Sequence, residues 1–177
     1  MLKFQRCLKG PASKAGFFKV SQDEIAIHVG FKSAEPTYCS STTGFVEGLW
    51  RYDCGELFLA DPLSGRYLEI NLAPNGAWWS CPFSSVRVRD LQMDVPRIEG
   101  IFSVATADGW NAGFSLNWNE VERCLGTVQG LKGNVTLILG GCPDVEPPLQ
   151  NLHSVAPLAA VDFHRPQEWL PLDQLCL

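Results

Sequence analysis

The chain has 177 residues, 46% of them hydrophobic, with 14 basic against 19 acidic side chains and a net charge of −5. That length supports one sizeable core and not two ordinary domains, and the negative balance argues against a duplex nucleic acid partner, whose phosphates call for clustered Lys and Arg. No apolar run approaches the ~20 residues that span a bilayer, and the N-terminus lacks an apolar signal core of about 7 to 15 residues, so neither a membrane partner nor secretion is expected and the sequence reads as cytoplasmic.

Seven cysteines without a CxxC pair indicate neither a closed disulfide framework nor a zinc knuckle, and reduced thiols are expected. Residues 1–19 show no sustained period and read as an extended or partly ordered arm. Its basic residues Lys3, Arg6, Lys9, Lys14 and Lys19 are interrupted by Gly10, Pro11 and Gly16, the pattern of a solvated tail. A single domain is expected over 20–177. It opens with alternation from Glu24 to Val29, which turns Ile25, Ile27 and Val29 inward and His28 outward. Lys32 to Gly48, rich in Ser, Thr, Pro and Gly, has the composition of a long surface loop.

The central feature is a hairpin. Leu57 and Leu59 alternate with Glu56 and Phe58, and Leu68, Ile70 and Leu72 alternate with Tyr67, Glu69 and Asn71, around the turn cluster Asp61-Pro62-Leu63-Ser64-Gly65. With the leucines and Ile70 facing the core, Glu56, Glu69 and Asn71 emerge together on the other face as a polar site. Pro74-Asn75-Gly76 then turns the chain into a third antiparallel strand, Ala77 to Phe83, completing a meander. Val86 to Arg89 reads as a strand with one wet face. Asp108-Gly109 joins strands over Ile101–Ala107 and Trp110–Trp118, and Asn119 to Leu125 reads as a helix of about two turns with Asn119 as N-cap and Gly126 as stop. Val135 to Leu139 is a strand, whose start is the bland reading of the sequon Asn134-Val135-Thr136. Gly140 to Pro157 reads as loop, and Ala160 to Arg165 as the last strand. Many short strands and little helical period predict an all-β, antiparallel, jelly-roll-like sandwich with one short helix.

These residues also carry a family resemblance. Leu49-Trp50, the strand Glu56-Leu57-Phe58-Leu59 and the run Tyr67-x-Glu69-x-Asn71-x-x-Pro74-x-Gly76-x-Trp78 follow in order, and Asp162-Phe163-His164-Arg165-Pro166 follows about a hundred residues later. Together they resemble carbohydrate-binding modules of family nine, in the DOMON-like branch, over roughly residues 20 to 170. The resemblance implies a β-sandwich, a saccharide or polyol ligand and no catalysis. It also brings the closing segment near the hairpin, where His164 would meet Glu56 or Glu69. Two positions depart from the pattern: Gly55 stands beside the matched acid, and Leu152-His153-Ser154 replaces an aromatic-rich segment.

Sugars are held in water by aromatic faces over their C–H side and by planar polar groups at their hydroxyls. The candidates are Trp50, Trp78 and Trp79, the last two on opposite faces of one strand, with Glu56, Glu69, Asn71 and His164. Core packing is the bland reading for each tryptophan, and a structural network or a calcium ion held by Glu56 and Glu69 the bland reading for the acids. Glycoside hydrolysis by these glutamates would need separations of ~5 to 9 Å, wider than directly paired cross-strand residues allow. Haem is disfavoured because only Met1 and Met93 offer methionine ligands. A protein-interaction module with no small-molecule ligand is the alternative function.

Overall fold

The computed structural model describes residues 1–4, 6–9, 16–35, 39–140 and 150–176. The strands among them are β1 (Leu2–Lys3), β2 (Arg6–Lys9), β3 (Gly16–Gln22), β4 (Ala26–Ser33), β5 (Cys54–Ala60), β6 (Tyr67–Leu72), β7 (Trp78–Ser85), β8 (Val88–Arg89), β9 (Glu99–Thr106), β10 (Gly109–Asn117), β11 (Lys132–Leu139), β12 (Asn151–Ser154) and β13 (Leu170–Pro171). One helix, α1 (Trp118–Leu125), interrupts them. With 48% strand in two antiparallel sheets, the protein is an all-β sandwich.

The smaller sheet has the order β1-β3-β4-β10-β9, and the larger β2-β12-β11-β5-β6-β7-β8, with β13 added beside β11. Between the sheets lies the main core, built from alternate residues: Ile27, Val29 and Phe31 of β4 meet Leu57 and Leu59 of β5 and Leu68, Ile70 and Leu72 of β6. Gly55 belongs to this contact. A methyl group there would lie 2.3 Å from the ring of Phe31, so the residue beside the matched acid is small because a ring from the opposite sheet fills its space.

The predicted meander is present, β5, β6 and β7 pairing in sequence. The β9–β10 hairpin and α1 also form, with Gly126 in the left-handed conformation at the helix end and Asn117, two residues before the expected Asn119, accepting the capping bond. Other expectations are corrected. Within 1–19 the described residues include strands paired into the fold: β1 and β3 belong to the smaller sheet and β2 to the edge of the larger one. Ile25 is 67% exposed, because Asp23 caps the backbone N–H groups of Ile25 and Ala26 and the strand starts only at Ala26. That strand runs on to Ser33, inside the expected loop. His28 does face away from the core, where its ring bonds Ser115 Oγ at 2.8 Å and Asp23 Oδ2 at 3.0 Å. Val86 and Arg87 form a turn, with Arg87 at φ 61, and only Val88–Arg89 pairs. The expected loop from Gly140 to Pro157 contains β12, while its residues 141–149, Cys142 among them, lie outside the described residues. The segment from Ala160 to Arg165 is a series of bends and not a strand. Asn134 is fully buried and bonds Ser154, in keeping with the structural reading of the sequon. No helix among the described residues is long and apolar enough to cross a membrane.

Candidate functional site

The outer face of the larger sheet would be wet in a simple sandwich. Here it is roofed by a second apolar layer. A 3₁₀ turn at Leu49–Arg51 and the C-terminal segment bring Leu49, Ala156, Leu158 and Trp169 over Phe58, Tyr67, Trp79 and Phe83. Strand register sets what lies beneath. One row across β11, β5, β6 and β7 reads Thr136, Glu56, Asn71, Trp79, and the next reads Asn134, Phe58, Glu69, Cys81. Glu56 and Glu69 are therefore diagonal neighbours, not the directly opposed pair considered for glycoside hydrolysis. As expected they share a face with Asn71, but all three are buried.

Burial governs their chemistry. Thr136 Oγ1 donates to Glu56 Oε2 at 2.5 Å, and Asn71 Nδ2 donates to Glu69 Oε1 at 3.1 Å. Loss of water pushes both carboxyls well above the usual range. For Glu56 the nearby charge of Glu69 adds to the rise, while Asn71, Arg89 and Arg87 oppose it at Glu69. Asn71 Oδ1 has no hydrogen-bond partner among the described residues, and Glu56 is its cross-strand neighbour on the same face.

Over this floor lies a cavity of about 390 Å³, within the ~300 to 1,000 Å³ of small-molecule sites. Of the candidates read from the sequence, Trp50, Glu56, Glu69, Trp79 and His164 line it. Asn71 lies behind Glu69, and Trp78 points to the other face, as its adjacency to Trp79 requires, packing against the main core and against Phe45 with ring centroids 4.9 Å apart. Trp50 and Trp79 meet edge to face at 5.3 Å. Trp79 itself is nearly buried, with the Arg89 guanidinium carbon 5.1 Å from its ring centroid.

The closing segment does reach the hairpin. Because it bends, Asp162, Phe163 and His164 all face the cavity instead of alternating. His164 Nδ1 lies 2.8 Å from Tyr67 Oη, and Nε2 lies 3.7 Å from Glu69 Oε2. Burial and the Arg87 charge hold the imidazole down, to about 4, so it is neutral at pH 7. Sequence reading missed Tyr67, Arg87 and Arg89 as site residues. Both arginines line the cavity, Arg87 bonding Asp162 at 2.7 Å and Arg89 bonding Glu47 at 2.7 Å. The alternation Val-Arg-Val-Arg did signal two arginines on one side, but not that a tight turn aims them at the acids. Among the described residues no group of three or more His, Cys, Asp or Glu is arranged to hold a metal ion.

A scan against protein-family models found no match, and no curated protein matches the sequence. Solved structures do match in fold. A Bacteroides uniformis protein whose suggested role is carbohydrate binding superposes with a TM-score of 0.68 at 16% identity, over 94% of this chain and 82% of that one. A carbohydrate-binding module of family nine from Caldicellulosiruptor kristjanssonii, in complex with cellotriose, gives 0.57 at 11% identity, over 87% of this chain and 71% of that one. A module of that family from the same organism, in complex with glucose, gives 0.52 at 12% identity, over 86% and 72%. The chain therefore has the fold seen in family-nine carbohydrate-binding modules.

Proposed function

We propose that this protein is a non-catalytic binding module for a neutral saccharide or related polyol. The observation that carries this reading is the cavity itself, where aromatic walls from Trp50, Trp79 and Phe83 stand over polar atoms of Glu69, Glu56 and His164. An apolar wall with convergent hydrogen-bonding groups is what a pyranose, with its C–H face and its hydroxyl rim, requires. The fold shared with modules that bind cellotriose and glucose supports the same ligand class. The DOMON-like branch rests on the sequence blocks alone.

The chemistry disfavours two rivals. A glycosidase needs its acid and its carboxylate on the two sides of the scissile bond; here both carboxyls sit side by side in one buried floor. A calcium ion would need both carboxylates ionised beside Arg87 and Arg89, whose positive charges repel it. Tryptophan fluorescence under titration with mono- and oligosaccharides into the millimolar range tests the proposal, since modules of about 1 mM Kd gain only about −4 kcal/mol. A saturable change that vanishes in a folded Trp50→Ala variant supports it; the absence of any saturable change across the panel overturns it.

A further inference from the structure

The roof segment and the sheet leave one unusual pair inside the cavity. His164 Nε2 and Glu69 Oε2 face each other at 3.7 Å, too far for a direct hydrogen bond and close enough for one oxygen to bridge. Which of the two donates is settled from behind. The backbone N–H of Arg87 donates to Tyr67 Oη at 3.0 Å. Tyr67 is fully buried, and His164 Nδ1, at 2.8 Å, is the acceptor available for its hydroxyl proton. With Nδ1 accepting, the neutral imidazole must carry its proton on Nε2. On the other side Asn71 donates to Glu69 Oε1 and leaves Oε2 turned to the gap; burial raises that carboxyl to about 7 while Asn71, Arg89 and Arg87 oppose the rise, and above that pH Oε2 is a carboxylate acceptor.

We infer that His164 Nε2–H and Glu69 Oε2 form a subsite for one ligand hydroxyl, with Tyr67 acting as the positioning residue that fixes its polarity. The inference rests on the saccharide reading and narrows it. A hydroxyl about 2.8 Å from both atoms accepts from His164 and donates to Glu69. A carboxylate in its place has no proton for Glu69, an ammonium has no lone pair for His164, and a deoxy position leaves both groups unpaired. The site therefore selects neutral polyols with a free hydroxyl at this position and discriminates against acidic sugars, amino sugars and the matching deoxy sugar.

The experiment is a long-range ¹H–¹⁵N correlation of the histidine side chains at pH 7.5 in the full chain, free and titrated with glucose, 2-, 3-, 4- and 6-deoxyglucose, and glycerol, with tryptophan fluorescence followed in parallel. In the free protein His164 is expected as the Nε2–H tautomer, with Tyr67→Phe shifting it to a tautomer mixture while the fold, monitored by the backbone spectrum, is kept. Glucose is expected to move the Nε2 resonance, and one deoxy isomer to bind at least about tenfold more weakly, the worth of one lost hydrogen bond of ~1.4 kcal/mol. An Nδ1–H tautomer in the free wild type overturns the inference without recourse to any variant. If fluorescence saturates with glucose while the His164 signals stay still, the inference falls and the saccharide reading stands. If no sugar changes the fluorescence but glycerol moves Nε2, the hydroxyl subsite stands and the saccharide reading falls. If neither probe acts, both fall.

Discussion

The guanidinium of Arg89 lies over the indole of Trp79, 5.1 Å from guanidinium carbon to ring centroid, and is held there by Glu47 at 2.7 Å. One face of the most buried tryptophan of the cavity is thus covered by a cation from the adjoining turn. A sugar stacking on that face must displace Arg89, whereas among the described residues no cation lies over the ring of Trp50. Arg89→Ala is expected to cost about 0.5 to 1 kcal/mol in stability, the worth of a partly exposed cation–π contact, and to shift the emission of Trp79 toward that of a more hydrated indole. Chemical denaturation followed by fluorescence reads both quantities. An unchanged emission maximum would show that Arg89 does not shield the ring in solution.

Trp78 provides the complementary control. It stands in the same strand but packs on the main core and lines no part of the cavity. Trp78→Ala should therefore destabilise the fold by about 2 to 4 kcal/mol through lost burial, its partial exposure placing it toward or below the low end of the usual Trp→Ala range. Saccharide affinity of the folded fraction should be unchanged. A loss of affinity equal to that of Trp50→Ala would contradict the assignment of the two indoles to different faces.

Stability should depend on pH in a defined direction. Glu56 and Glu69 are raised to about 8 and about 7, and His164 is lowered to about 4. For the glutamates the folded state binds protons that the unfolded state has released, so stability falls as pH rises from about 4.5 towards 8, by at most ~1.4 kcal/mol per pH unit per proton. His164 acts oppositely between pH 4 and 6.5, where the unfolded state takes the proton. The clean window is therefore pH 6.5 to 8, in which denaturation midpoints should decrease. Glu56→Gln, which keeps the size of the side chain and removes one titration, should flatten that decrease. Midpoints rising through the window would contradict a neutral Glu56.

Gly55→Ala tests the packing between the sheets. The added methyl meets the ring of the fully buried Phe31 at 2.3 Å, and neither the backbone of β5, paired on both sides, nor the ring has free space to yield. A loss of about 1 to 3 kcal/mol is expected from overpacking, measured as a lower denaturation midpoint at unchanged m-value. A neutral result would mean that Phe31 has room the structure does not show.

The β meander, its core-facing leucines and the gathering of Glu56, Glu69 and Asn71 on one face are legible in residue order, because a period of two and Asx-Gly turns act between near neighbours. The same local signals failed where the partner was distant. β1 and β2 carry no period of their own yet pair with β3 and β12, and Ala160 to Arg165 alternates like a strand yet bends to roof the sheet. The burial of the polar face, the place of Tyr67 between the Arg87 amide and His164, and the cover of Arg89 on Trp79 come from contacts between segments far apart in the chain. The physical reason is that burial and donor direction belong to pairs of surfaces: a glutamate on a strand has the same sequence signature whether water or Trp169 lies above its neighbour Phe58, and it is the second layer that turns an ordinary wet sheet face into a desolvated floor.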